Sequence, residues 1–305
     1  MFGLILIGYF CAKISSLDEA ALGWMNFFII YVALPALFFQ LIRKAPLESL
    51  VNYKFVLATT GSTVVLFICG YVLGKVILKR PGAIATIQAV AASYANIGYM
   101  GPAITISALG KAALIPTVII FCFDNAFLFI FVPIMMAVSS NRKHKTLLYI
   151  CLKAFFKVIT HPFIVATILG ILASALSLEL PTAIETIVTM LSNTAAPAAL
   201  FTMGIVIGNR KAIIKGIGIP LLIFLKLVAH PVCVYLFIKL LGPFDPVWEK
   251  TAILMACLPP ALNIYVMATD YKVYIREASS IVLIGTMLAI ATVTYVLYLI
   301  ELQII

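Results

Sequence analysis

The 305-residue sequence predicts an all-α membrane protein of ten transmembrane helices, a 5+5 inverted repeat with discontinuous crossing helices 4 and 9. Three observations predict it. The chain is 64% hydrophobic and 10% charged, with a mean hydropathy of +1.17, whereas water-soluble domains run near 45–50% apolar and about 25% charged. Apolar runs long enough to cross a hydrocarbon core of about 30 Å recur from end to end. Two of those runs are interrupted by Pro, Gly and Asn at matching positions of the two halves.

The ten spans are Met1–Ile14, Ala21–Ile42, Phe55–Leu78, Ala83–Leu109, Ala112–Val138, Phe155–Leu176, Thr182–Gly208, Gly216–Leu241, Thr251–Thr269 and Ala278–Ile300. The first reaches only about 21 Å at 1.5 Å per residue, too short to cross without local thinning or a further turn ahead of it. Residues 1–138 form the first five-span repeat, 139–157 a basic loop with the start of span 6, and 158–305 the second repeat.

Charge sets the orientation. Of the 21 Lys and Arg, 14 fall in connections 1, 3, 5, 7 and 9, six in connections 2, 4, 6 and 8, and Lys226 lies inside span 8. The odd connections therefore face the cytoplasm and both termini face out, with the basic stretch Asn141–Lys157 inside. The net charge of +10 is scattered between apolar runs, which fits anionic lipid and not nucleic acid. Six cysteines lie in or beside apolar runs without a C-x-x-C pair, which reads as small buried hydrophobes and not a metal centre.

The repeat is written in short echoes. Ile7-Gly8 returns as Leu169-Gly170, and Leu34-Pro35-Ala36-Leu37-Phe38-Phe39 as Ala196-Pro197-Ala198-Ala199-Leu200-Phe201, both 162 positions later. Five spans is an odd number, so the second copy enters the membrane from the other side. The interruption Asn96-Ile97-Gly98-Tyr99-Met100-Gly101-Pro102 in span 4 falls opposite Pro259-Pro260-Ala261-Leu262-Asn263 in span 9. Prolines delete a donor and clash with the preceding turn, so each span divides into two half-helices. Unwound backbone at that depth requires protein or water to satisfy it. The exposed N-termini of the second halves carry partial positive charge, and their convergence would make a site for an anion. Asn96, Gly98, Tyr99, Gly101, Pro102, Pro259, Pro260, Asn263, Tyr265 and Asn193 are the candidate substrate-binding residues.

These segments, with Tyr31-Val32-Ala33 ahead of Leu34-Pro35, Thr194-Ala195-Ala196-Pro197, and Ile264-Tyr265-Val266 after Asn263, resemble the auxin efflux carrier family. That family includes bacterial dicarboxylate permeases and plant PIN-type carriers, within the group that holds the bile-acid sodium symporters. The resemblance covers essentially the whole chain. It implies a scaffold domain from spans 1, 2, 6 and 7 and a transport domain from spans 3–5 and 8–10, with spans 4 and 9 crossing at the substrate. The implied substrates are organic anions such as malate, malonate or indole-acetate. In one departure, the family's span-4 proline falls one residue later, where this chain has Ala103.

Three ionisable residues inside spans are candidates for coupling: Asp124, Lys226 and His230. A charge at mid-bilayer is costly and is a functional candidate by default. Asp124 reads either as a proton-carrying carboxylate or as a structural hydrogen-bonding group, with Asn125 or Lys226 as partner. Lys226 could offset a substrate carboxylate, pair with Asp124, or snorkel. His230, four residues on and thus on the same helix face, reads as a proton relay or a satisfied core histidine. Gly70-x-x-x-Gly74 and Gly204-x-x-x-Gly208 suit close helix packing and would serve a homodimer face.

The function predicted is secondary active transport of small organic anions by alternating access, without a cofactor and with H+ or Na+ as the coupling ion. The alternatives are a non-transporting sensor or scaffold using the same ligand site, and a sodium-coupled bile-acid-type symporter. An intramembrane enzyme is disfavoured, since neither H-E-x-x-H nor G-x-S-x-G occurs.

Overall fold

A computed structural model describes residues 2–15, 22–44, 52–139, 149, 152, 155–156, 158–209, 216–302 and 304. Among these the fold is all-helical, with no strand. The helices are α1 (Phe2–Ile14), α2 (Gly23–Arg43), α3 (Tyr53–Ile77), α4 (Gly82–Ser93), α5 (Gly101–Leu109), α6 (Lys111–Ser139), α7 (Pro162–Ala175), α8 (Thr182–Asn209), α9 (Gly218–Leu241), α10 (Pro246–Ala256), α11 (Asn263–Asp270) and α12 (Ile275–Glu301). Six of them, α2, α3, α6, α8, α9 and α12, are long and apolar enough to cross a membrane. The basic loop Asn141–Lys157, apart from isolated positions, and Arg210, Lys211 and Lys215 lie outside the described residues.

Several helix boundaries differ from those read off hydropathy, each for a local reason. The expected sixth span breaks at His161, because the residue before a proline is pushed to extended backbone; His161 has φ −65° and ψ 132°, and α7 starts afresh at Pro162. α10 begins five residues ahead of Thr251. There the Asp245 side chain accepts from the Val247 N–H at 2.8 Å and Pro246 occupies the first turn. Two prolines inside long helices leave π-helical turns just before them, at Ile29–Ala33 ahead of Pro35 and at Leu225–Ala229 ahead of Pro231. A proline cannot donate to the carbonyl four residues back. The register slips by one, and the Leu34 and His230 N–H groups bond Ile29 and Leu225 instead.

The chain divides into two compact units. Unit 1 comprises Met1–Asn52, Gly98–Cys122 and Ile159–Arg210, hence α1, α2, α5, the start of α6, α7 and α8. Its tightest seam joins α1 to α8. A Cβ added at Gly8 would lie 2.1 Å from the Phe201 carbonyl oxygen, and one at Gly204 2.1 Å from that of Ile5. Gly170 likewise lets α7 approach α2, at Phe39 and Ile42. Phe38, Phe121 and Phe163 meet with ring centroids 4.7–5.8 Å apart. At one end, Glu185 pairs with Arg43 and with Lys44, the latter at 2.8 Å.

Unit 2 comprises Tyr53–Ile97, Phe123–Val158 and Lys211–Ile305. It holds α3, α4, the remainder of α6, and α9–α12. Gly70 and Gly74 seat α3 on α4, with would-be Cβ positions 2.7 Å from Ala92 Cβ and 2.3 Å from Gln88 Oε1. Both small-residue pairs are thus covered within their own unit, and the faces they would have offered to a second copy are occupied.

Candidate functional site

Span 4 is interrupted between Ser93 and Gly101, and span 9 between Ala256 and Asn263. In unit 2 the two interruptions meet through their backbones. Ala95 and Pro260 face each other in an antiparallel bridge. The Asn96 N–H donates to the Pro259 carbonyl at 2.8 Å, and the Ala261 N–H donates to the Tyr94 carbonyl at 3.0 Å. Groups freed from one broken helix are satisfied by those freed from the other, which removes the cost of unwinding inside an apolar environment. The proline pair suits this geometry. Pro259 contributes only its carbonyl, and Pro260 occupies the one position in the bridge that needs no N–H.

Side chains extend the bridge into a polar chain. Asn263 Nδ2 donates to the Tyr94 hydroxyl at 3.1 Å, and that hydroxyl donates to Asn125 Oδ1. Asn96, 2% exposed, is buried beside it in sequence. Tyr265 is half-buried, two residues into α11.

The other candidate residues belong to unit 1. Tyr99 is buried, its hydroxyl 3.5 Å from Asn26 Oδ1, and Gly98 lies against Phe121. Gly101 and Pro102 open α5. Proline at the start of a helix forfeits a hydrogen bond that would not form there anyway, so here it initiates and does not merely kink. Pro102 and Asn193 line one cleft of about 870 Å³, together with Gln40, Lys44, Lys111 and Ser192.

Comparison with known proteins identifies the lineage. The family model described as "Membrane transport protein" matches residues 1–297. The chain belongs to this membrane transport family. It is 42% identical over 302 residues, 98% of this chain and 93% of the relative, to a protein of Rhizobium meliloti (strain 1021) named "Putative malonate transporter". It is 27% identical over 152 residues, 48% of this chain and 43% of the relative, to "Auxin efflux carrier component 5" of Arabidopsis thaliana.

This membrane transport protein also carries a buried charged cluster in unit 2. Asp124 (4% exposed) on α6 accepts from Thr60 at 2.7 Å and from Thr63 at 2.9 Å, both on α3. Its hydrogen-bond partners are therefore these threonines and not Asn125 or Lys226. Thr63 Oγ1 is 3.3 Å from His230 Nε2, whose Nδ1 is 2.9 Å from Lys226 Nζ; that ammonium also donates to the Ala256 carbonyl at 2.6 Å. Lys226 is completely buried, so it does not snorkel. The π-helical turn that carries it begins one residue earlier, at Leu225.

Sequence reasoning missed Tyr94, Thr60, Thr63 and Gly285 of this transport protein. The threonines did leave a signal: Thr59-Thr60-Gly61-Ser62-Thr63 places four hydroxyls in five residues of an apolar span. Gly285 left none. Its lack of a side chain admits the Pro260 ring, a relation that only the tertiary structure contains.

Proposed function

We propose that the chain is a secondary active carrier of small organic anions, working by alternating access across ten spans arranged as a 5+5 inverted repeat. Spans 1, 2, 6 and 7 form the scaffold, and spans 3–5 and 8–10 the moving domain. The odd connections are cytoplasmic and both termini extracytoplasmic. The observation that carries this reading is the Ala95–Pro260 bridge. Two broken segments that complete each other's backbone bonding make a rigid polar point within an apolar helical unit, and such interruptions are where carriers hold substrate.

The repeat is supported by register. The first half-helices end 163 positions apart, at 93 and 256, and the second begin 162 apart, at 101 and 263. It is supported too by reciprocal packing: Gly8 of the first half seats on α8, and Gly170 of the second on α2. The substrate class is a carboxylate of the malonate, malate or auxin type. The amides of Asn96 and Asn263 supply N–H donors for carboxylate oxygens, and the Tyr94 hydroxyl, which gives its hydrogen to Asn125, holds Asn263 in place. Malonate comes first among candidates because the relative that matches nearly the whole chain carries that name.

The test is counterflow of labelled malonate, malate and indole-acetate in proteoliposomes. Wild-type protein exchanges at least one of them. Asn96→Ala and Asn263→Ala each lower exchange by about tenfold or more, the loss expected when a buried polar contact of roughly 1–3 kcal/mol is removed, while keeping a monodisperse elution profile. Wild-type exchange in both variants would overturn the site assignment, and ligand binding without any exchange would make the protein a sensor.

A further inference from the structure

We infer that the Asp124–Thr63–His230–Lys226 chain in unit 2 is a proton site for coupling: Asp124 takes up one proton together with the organic anion, while the Lys226 amine stays tethered at the end of α10. This rests on the carrier reading above and adds the identity of its coupling ion.

The hydrogen inventory of the cluster defines two states. As an ammonium Lys226 only donates, to the Ala256 carbonyl and to His230 Nδ1. With Nδ1 accepting, a neutral imidazole carries its hydrogen on Nε2 and gives it to Thr63 Oγ1. The single hydroxyl hydrogen of Thr63 then has two acceptors in reach, Asp124 Oδ2 at 2.9 Å and the Thr59 carbonyl at 3.4 Å. With Asp124 ionised, Thr63 and Thr60 both donate to the carboxylate. With one proton added on Oδ2, that O–H donates to Thr63 Oγ1, and the Thr63 hydrogen turns to Thr59. No other proton moves, the cluster goes from net zero to +1, and every group keeps a partner in both states. Rotation of one hydroxyl separates them, which is the condition for a buried group to titrate without an unsatisfied partner.

Among the described residues, the groups that act on the cluster come from α3, α9 and the start of the interruption after α10. α3 contributes the hydroxyls of Thr59, Thr60 and Thr63, and the sequence of α4 contains no ionisable residue. α9 brings Lys226 and His230. Cys257, which follows α10, is the remaining titratable group acting on Lys226.

Lys226 also bears on which ion can be used. Ala256 is the last residue of α10, so its carbonyl stands at the negative end of a half-helix, where carriers of this architecture hold an alkali cation. The tethered ammonium fills that position. A bound anion, in turn, favours the protonated form of Asp124. Asn125, its neighbour in sequence, is the end of the Asn263–Tyr94–Asn125 chain at the crossing, and negative charge there disfavours a second negative charge beside it. Proton and anion therefore bind with positive coupling, each raising the affinity for the other by the same factor, and a carrier that crosses with both bound moves them in the same direction.

Two measurements test this. In proteoliposomes that show malonate counterflow, with the membrane potential clamped at zero, an inward proton gradient drives accumulation by about tenfold per pH unit for one coupled proton, and a sodium gradient drives none. In Asp124→Asn, the ratio of gradient-driven accumulation to counterflow falls at least tenfold. Independently of that variant's folding, adding malonate to weakly buffered wild-type protein takes up about one proton per malonate bound. Accumulation driven by sodium, or counterflow that ignores the proton gradient and binding without proton uptake, would overturn the inference and leave the carrier intact. Failure of every tested carboxylate to exchange would remove the carrier reading and the inference with it.

Discussion

The Pro260 ring lies directly on Gly285: a Cβ at residue 285 would stand 2.6 Å from both Cδ and Cγ of the proline. α12 thus acts as the floor of the bridge between the two broken segments, and the absence of one side chain is what lets the bridge form. Glycine in a helix interior ordinarily costs about 1 kcal/mol relative to alanine. At this position the alanine methyl meets a rigid ring that is itself pinned by the bridge.

Gly285→Ala is therefore expected to destabilise in spite of its better helix propensity. Overpacking of about 1–3 kcal/mol outweighs the propensity gain. Malonate exchange should fall, and the thermal midpoint in detergent should drop, with Gly285→Val more severe. An unchanged or raised midpoint for the alanine variant would show that Pro260 can move away.

Tyr94→Phe removes the hydroxyl that joins Asn263 to Asn125 while keeping the ring. The loss of a two-bond link between buried amides is worth roughly 1–3 kcal/mol. The expected result is weaker substrate binding, seen as a KM about tenfold or more above wild type, with folded protein recovered in normal yield. Wild-type KM would place the chain of amides outside substrate recognition.

Lys226→Met takes the donor from both the Ala256 carbonyl and His230 Nδ1 and leaves Asp124 without its cation. Leaving buried acceptors without their donor costs about 1–3 kcal/mol each. Adding Asp124→Asn should recover part of that loss, because the orphaned negative charge is gone. A double-mutant cycle on thermal stability measures the coupling, and strict additivity would show that the two charges do not sense each other.

The α1–α8 seam offers the sharpest structural contrast. Gly204→Ala pushes a methyl into the Ile5 backbone, whereas Gly3, on the same α1, has nothing within 4 Å of its would-be Cβ. Gly204→Ala should therefore lose folded protein, and Gly3→Ala should keep or slightly gain stability, by up to about 1 kcal/mol. Fluorescence-monitored unfolding in detergent separates the two.

That the chain is helical and membrane-embedded, and where two of its spans are interrupted, is legible in the order of residues alone. Composition and apolar run length are set residue by residue, and Pro102, Pro259 and Pro260 act on their own turns. That order also exposes Asp124, Lys226 and His230, because charge inside an apolar run is visible without coordinates. Which groups these residues meet emerges only from the folded arrangement. Asp124 is satisfied by Thr60 and Thr63 some sixty positions earlier, Lys226 by a carbonyl thirty positions later, and Pro260 by an empty space at Gly285. Long-range partners depend on how helices pack, and packing is specified by shape complementarity between distant faces, which no local pattern of residue types records.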